Sequence, residues 1–258
     1  MTPPMSTFPD QFRLNGRTAL ITGSARGLGW EMAKGLAEAG ARVLLHGRDR
    51  ARLEPRLVEL KAAGFGADAL TFDVADRAAM AAAIAGAPAI DILIHNVGER
   101  DRRPFHEIDH DAFARLIDVD LLAAHALVKL LVPGMIERKW GRLVMVTSIV
   151  ADLAIPNASS YATAKAGLTS MARALAAEYG ATGVTSNALA PGFFATETNE
   201  RMIASPNGEH HRARSPAKRW ARPEEIAGAA IFLASPAASY VNGHTLIVDG
   251  GVSATYLA

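Results

Sequence analysis

The chain has 258 residues, half of them apolar, which is enough for one large α/β domain with a well-buried core. Its 27 basic and 26 acidic side chains leave a formal net charge of +1, so a general attraction to nucleic acid is not indicated. With no cysteine, it has no disulfide framework, thiol nucleophile or thiolate metal site.

The first residues, MTPPMSTFPDQFRLNG, lack the basic region and apolar core of a secretory signal. Apolar, strand-like runs follow at 17–23, 41–47, 67–74, 90–96, 141–148, 183–191 and 244–251. Several are apolar on both faces, as strands covered by helices on both sides must be. Helical patterns lie between them, such as LGWEMAKGLAEAG and SYATAKAGLTSMARALAAEYG. Gly40 and Gly180 stand where C-terminal caps belong. The most apolar stretch, Leu121–Ile136, is interrupted by His125, Lys129, Pro133 and Gly134, and is expected not to span a bilayer. A cytoplasmic protein is expected, and the missing thiols fit a reducing compartment.

Strand–helix alternation with no linker or repeat predicts a single α/β domain over 1–258. Its centre is a Rossmann-type, doubly wound parallel sheet of seven strands flanked by helices. The segment ERMIASPNGEHHRARSPAKRW mixes Pro, Gly, Ser and charge. It marks a lid insertion at about 196–218.

TGSARGLG, residues 22–29, joins the first strand to the first helix. In a doubly wound sheet that places it at the carboxyl edge, by the switch point. Gly23, Gly27 and Gly29 let the backbone turn tightly and approach a pyrophosphate at the helix N-terminus. The second strand ends LLHGRDR. Gly47 stands where an NAD site keeps an acid, and Arg48 follows. Asp49 is read as a helix N-cap rather than a ribose ligand. Arg26 and Arg48 suit a 2′-phosphate, which favours NADP(H) over NAD(H).

Tyr161 and Lys165, four apart near a helix start, share a face, and Ser148 ends the fifth strand at the same sheet edge. Hydride transfer at an alcohol or ketone needs a proton donor or acceptor and a group that polarises the oxygen. Tyr161 suits the first role, with an ammonium nearby to favour its ionised form, and Ser148 suits the second.

Together these residues resemble the short-chain dehydrogenase/reductase family over nearly the whole chain. The resemblance assigns Thr22, Gly23, Ser24, Arg26, Gly27, Leu28 and Gly29 to the cofactor loop, and Arg48 to its ribose end. It matches Asp73 and Val74 to the family's adenine-side pair. Asn96 and Gly98 in HNVG match an NNAG segment. Ser148, Tyr161 and Lys165 match the catalytic residues. Pro191, Gly192 and Thr196 match a segment that meets the nicotinamide. It also implies a homotetramer, with helices near 109–133 and 158–180 and the last strand at interfaces.

Two departures stand out. Asp120 occupies the place of an asparagine that holds a water in the family's proton relay. As an ionised acid it accepts but cannot donate. It is expected to serve the relay as a water acceptor, or to pair with Lys165. His95 replaces another asparagine and is expected to be a buried histidine satisfied by backbone.

APGFFATE, SPAKRW, YVNGHTLIVDGG and RDRRPFHEID resemble the family's gluconate 5-dehydrogenase (5-keto-gluconate reductase) branch. Arg102 matches an arginine of that branch. It is the candidate substrate cation beside Ser148 and Tyr161, with Arg103, Arg212 and Arg214 as other sources of charge. Val150 and Ala151 replace a polar pair expected to face the pocket. They leave a 3-oxoacyl thioester or a hydrophobic or cyclic ketone as alternative substrates. A non-catalytic NADP(H)-binding regulator is the competing class. No metal site, nucleic acid or membrane partner is expected.

Overall fold

The computed structural model describes residues 7–255. Seven parallel strands run in the order β3-β2-β1-β4-β5-β6-β7. They are β1 (Thr18–Ile21), β2 (Arg42–Gly47), β3 (Ala67–Thr71), β4 (Ile92–His95), β5 (Gly141–Val146), β6 (Val184–Pro191) and β7 (Thr245–Val248). Every residue of β5 and β6 is buried, as strands covered on both faces require.

Strand side chains alternate between two cores. Ala19, Ile21, Ile92 and Ile94 face one core with α1 (Gly27–Glu38), α2 (Arg50–Ala62) and α9 (Ala227–Ala234). Leu20, Leu93, Leu143 and Met145 face the other with α3 (Arg77–Ala85), α5 (Ala123–Glu137) and α6 (Ser159–Tyr179). The chain crosses the sheet after β3 and re-enters at β4, beside β1. The loops leaving β1 and β4 therefore diverge, opening a crevice at the carboxyl edge.

Asp49 caps α2, accepting from the N–H of Ala51 at 2.9 Å, as its position after the second strand indicated. Gly40 takes the left-handed turn after α1, with φ +102°. Gly180 does not take one: the chain continues right-handed through a 3-10 turn at Gly180–Thr182. The left-handed residue is Gly183, φ +88°, where a Cβ would stand 2.2 Å from the Lys139 carbonyl oxygen.

Between α4 (His110–Ile117) and α5 lies a π-helical turn, Asp118–Leu122. The whole run His110–Glu137 is long and apolar enough, by length and composition, to cross a membrane. The interruptions in Leu121–Ile136 did not suggest this. Half of its most apolar window is buried in the fold. The segment 196–218, expected as an irregular lid, is mostly helical. Ser205 accepts from the Gly208 N–H and Pro206 opens α8 (Pro206–Arg214), preceded by α7 (Glu200–Ile203).

Candidate active site

A cleft of about 750 Å³ follows the carboxyl edge of the sheet, a volume suited to a small-molecule or cofactor site. Gly23, Arg26, Gly27, Leu28 and Gly29 line it from the loop and first turn of α1. No side chain caps that helix, so its first-turn N–H groups are left for a ligand. Gly29 is required by contact: a Cβ there would stand 2.4 Å from the Gly23 carbonyl oxygen and 2.6 Å from Asn96 Nδ2.

Thr22 and Ser24, assigned to the cofactor from the sequence, are fully buried and do not line the cleft. They hold the loop in place. Thr22 Oγ1 accepts from the N–H groups of Asn96 (2.8 Å) and Val97 (3.0 Å), tying the ends of β1 and β4. Ser24 Oγ accepts from the His46 N–H at 2.9 Å. His46 completes this seam. Its Nδ1 accepts from the Gly23 N–H at 3.2 Å, so Nε2 carries the proton and donates to the Phe72 carbonyl at 3.1 Å. Burial pushes its pKa down to about 4. Nothing in the sequence singles out His46, because its partners come from two separate loops, those after β1 and β3.

The far corner is cationic and open. Arg48 lines the cleft and lies 3.7 Å from Asp73, with Asp73 and Val74 on the same wall. Arg52, one turn into α2, lines it too and was missed in the sequence. It stands three residues after the Asp49 cap and lies 3.6 Å from the Asp49 carboxylate.

At the other end, Ser148, Tyr161 and Lys165 line one wall, with Asn96 and Gly98 after β4, Pro191 at the end of β6, and Gly192 and Thr196 beyond it. Ser148 Oγ accepts from the Val150 N–H at 3.3 Å. Lys165 Nζ lies 5.5 Å from the centre of the Tyr161 ring and donates to the Val146 carbonyl at 3.1 Å. It faces Asp120 Oδ2 at 3.3 Å, with the Lys165 and Asp120 side chains 3% and 0% exposed. That contact is ionic, since Oδ2 makes no hydrogen bond. Asp120 Oδ1 accepts from the Glu99 N–H at 2.7 Å. Burial holds the Asp120 carboxyl above its ordinary range, against the opposing pull of Lys165. Gly98 completes the packing: a Cβ there would stand 2.8 Å from Asp120 Oδ2 and 2.9 Å from Lys165 Nζ.

A family model described as enoyl-(acyl carrier protein) reductase matches residues 23–253. The gluconate 5-dehydrogenase of Gluconobacter oxydans is 38% identical over 95% of this chain and 98% of its own. The 5-keto-D-gluconate 5-reductase of Escherichia coli K12 is 33% identical over 94% and 98%. Among solved structures, a gluconate 5-dehydrogenase from Burkholderia cenocepacia in complex with NADP and tartrate superposes with TM-score 0.92. It is 38% identical, covering 96% of this chain and 99% of that one. The chain belongs to the short-chain dehydrogenase/reductase family.

This short-chain dehydrogenase/reductase is thus an oxidoreductase acting on CH–OH groups. A nicotinamide dinucleotide bound in the cleft would supply or receive the hydride. The uncapped start of α1 suits its diphosphate, and Gly192 and Thr196, which line the same cleft, would hold the nicotinamide. Tyr161 and Ser148 line the same cleft, and a phenol beside a hydroxyl has the chemistry to exchange a proton with a substrate oxygen and to hydrogen-bond it. Lys165 supplies a fixed positive charge beside Tyr161.

Asp120 does not line the cleft and reaches the chemistry only through Lys165 and the 98–99 backbone. His95 is fully buried. Its Nε2–H donates to the Asp120 carbonyl at 3.1 Å, as a structural histidine should, while Nδ1 is left without a partner. Burial, then the Lys165 charge, push its pKa down to about 3.

On the substrate side, Arg102 does not line the cleft. Its Nη1 lies 3.8 Å from Met202 Sδ. Arg103 is held by Asp101, and Arg212 by Glu209. Arg100, not singled out in the sequence, does line the cleft. Val150 is buried, and neither it nor Ala151 lines the cleft, so they do not make the pocket apolar as expected.

Proposed function

We propose that this enzyme is an NADP(H)-dependent oxidoreductase of a sugar acid, interconverting a gluconate-type secondary alcohol and its keto acid. One observation carries the reading: Ser148, Tyr161 and Lys165 share a single cleft with the glycine loop and a wall of arginines. The intact catalytic set argues for an enzyme over a cofactor-binding regulator. The relatives named for gluconate and 5-keto-gluconate, and a cleft not lined by Val150 or Ala151, favour a polyhydroxy acid over a hydrophobic ketone.

NADP(H) is supported by Arg26, Arg48 and Arg52 around a strand end with Gly47 where an acid would repel a phosphate. Neighbours solved with NADP point the same way. A homotetramer is supported by Leu122 and Leu130 on the π turn and α5, and Ile247 on β7, which stand 40–48% exposed. Light scattering tests that state.

The deciding assay pairs NADP+-dependent oxidation of gluconate with NADPH-dependent reduction of 5-keto-gluconate, with NAD(H) in parallel. Tyr161→Phe is expected to lower kcat about 10²–10⁴-fold. Activity that survives this change refutes the mechanism, and equal turnover with NADH refutes the cofactor assignment.

A further inference from the structure

We propose that His46 is a positioning residue for the cofactor, and that its ring is the strut that sets the spacing between the glycine loop and the wall at Asp73 and Val74. The loop, the wall and His46 all line the cleft. The proposal rests on a nicotinamide dinucleotide in that cleft, not on the choice between NADP(H) and NAD(H).

Strand β2 lies between β1 and β3, and its two ladders stop short of the cleft. Pairing with β1 ends where Ile21 stands opposite Leu45, and pairing with β3 ends where Thr71 stands opposite Gly47. Gly23 and Phe72 therefore lie past the last rungs, and there the ring takes over. Nδ1 accepts from the Gly23 N–H at 3.2 Å, and Nε2–H donates to the Phe72 carbonyl at 3.1 Å. The backbone of His46 holds the loop only. Its carbonyl accepts from the Ser24 N–H at 3.0 Å, and its N–H donates to Ser24 Oγ at 2.9 Å. Among the described residues no hydrogen bond runs directly from 22–29 to 72–76.

An imidazole is a costly filling for this position. His46 shares its strand face with Leu44, which packs in one core with Phe72 and Val74, and it is 1% exposed. A leucine would fill the space with no polar group to satisfy. The imidazole adds an acceptor and a donor on one rigid ring, a pair that only its neutral form offers. Burial keeps the ring neutral, pulling its pKa down to about 4 against the Asp73 charge. The Phe72 ring, 4.1 Å away between centres, packs against it.

The loop's chemistry depends on this hold. The Gly23 N–H is turned toward β2 and so leaves the set of donors offered to a ligand. Gly23 itself is left-handed, φ +65°, and the chain then runs into the uncapped first turn of α1. With the ring in place, those first-turn N–H groups stand at a fixed distance from Asp73 and Val74. Cutting either end of the strut frees one wall from the other, and a dinucleotide long enough to span both loses affinity.

The test is NADP+ binding to the full-length enzyme by titration calorimetry. Hydrogen exchange is read by mass spectrometry on peptides covering 22–29 and 72–76. His46→Leu keeps the bulk and loses both bonds, and is expected to raise the Kd about 10- to 100-fold, the range for a buried polar group left unpaired. His46→Asn keeps an acceptor at the Nδ1 position, and His46→Gln a donor that reaches toward Phe72. Each is expected to raise the Kd about 3- to 10-fold. Exchange should quicken at 72–76 in the Asn variant and at 22–29 in the Gln variant. The KM for NADP+ should follow the Kd, while kcat on gluconate at saturating NADP+ stays within about threefold. If His46→Leu does not fold, the two half-variants decide.

An unchanged Kd in the variants overturns the proposal. So does full recovery by His46→Asn, which makes the ring a clamp on the loop alone. An equal rise in exchange across the whole chain overturns it too, because His46 is then a packing residue. Wild-type enzyme that binds NAD+ as tightly as NADP+ undoes the cofactor preference and leaves His46 as assigned. The binding and exchange measurements decide whether or not gluconate is turned over.

Discussion

The two ends of the cleft are built on opposite electrostatic plans. At the catalytic end the charges are dry: Lys165 and Asp120 are sealed from water and His95 is fully buried. At the far, cationic end the arginines are wet, with the Arg48 and Arg52 side chains 66% and 75% exposed. A proton-transfer step gains from a charge that is fixed and undiluted by solvent, because nothing then reorganises during the reaction. Recognition of a phosphate needs only donors that converge when it arrives, and exposed guanidiniums supply that at little desolvation cost. Substitutions at the dry end should therefore couple to stability and pH, and those at the wet end to salt and cofactor choice.

Lys165→Met should show the largest effect. We expect kcat to fall at least about 100-fold. We also expect a stability loss approaching 3–5 kcal/mol, the usual range for removing one partner of a buried pair. The loss should grow with pH. Asp120 without its counter-ion has a carboxyl raised even further above its unfolded value. Stability is then full below that unfolded value and declines as pH climbs toward the folded one. Urea titrations at pH 5 and pH 8 measure this, and equal losses at both would contradict a buried ion pair.

Arg26→Ser with Arg48→Ser comes next. The NADPH-over-NADH preference should drop about 10- to 100-fold, and the wild-type preference should weaken as ionic strength rises. A double variant that keeps its preference removes the ribose corner from cofactor selection.

Asp120→Asn should have a smaller effect. It deletes a negative charge 3.3 Å from Lys165, so the lysine's field on Tyr161 strengthens. The acid limb of the oxidation rate profile should move to lower pH, with kcat changed less than about tenfold. An unmoved profile shows that Asp120 only holds the loop at Glu99.

His95→Asn should leave activity at pH 7 nearly untouched and alter only the response to acid. The folded pKa near 3 lies below the unfolded value near 6.5, so the neutral ring's contribution is complete above about 6.5. It is lost as pH falls toward 3, at about 1.4 kcal/mol per pH unit. The variant's melting temperature should fall less than the wild type's between pH 6.5 and 5.

The strands were legible because apolar runs bounded by turn residues are a local signal, and all seven lie inside the runs read from the sequence. Ser148, Tyr161 and Lys165 were legible for the same reason, through helix spacing and a strand end. Arg100 was not. Residues 99–104 form no regular element, so nothing in their order distinguishes a cleft-facing arginine from Arg102 two places on. Thr22 and Ser24 were legible as members of the loop, but their inward aim depends on Asn96 and His46, which are remote in sequence. The helices of 200–214 were hidden by Pro and Gly. Yet Ser205–Pro206 is a cap followed by a first-turn proline, a start signal read as a breaker.

The π turn at Asp118–Leu122 carries a further consequence, for how this helix can change by insertion and deletion. A residue added to a helix advances everything after it by about 100°. A π turn takes up such a residue locally, so taking one residue out of Asp118–Leu122 restores a regular α-helix and leaves Leu127, Leu131 and Met135 on the sheet. What moves is Asp120, which the turn holds 3.3 Å from Lys165. The helix is a gear with one extra tooth, meshed on one side with the core and on the other with the catalytic lysine. Its residue count is fixed even where the identity at 120 is free to differ between asparagine and aspartate.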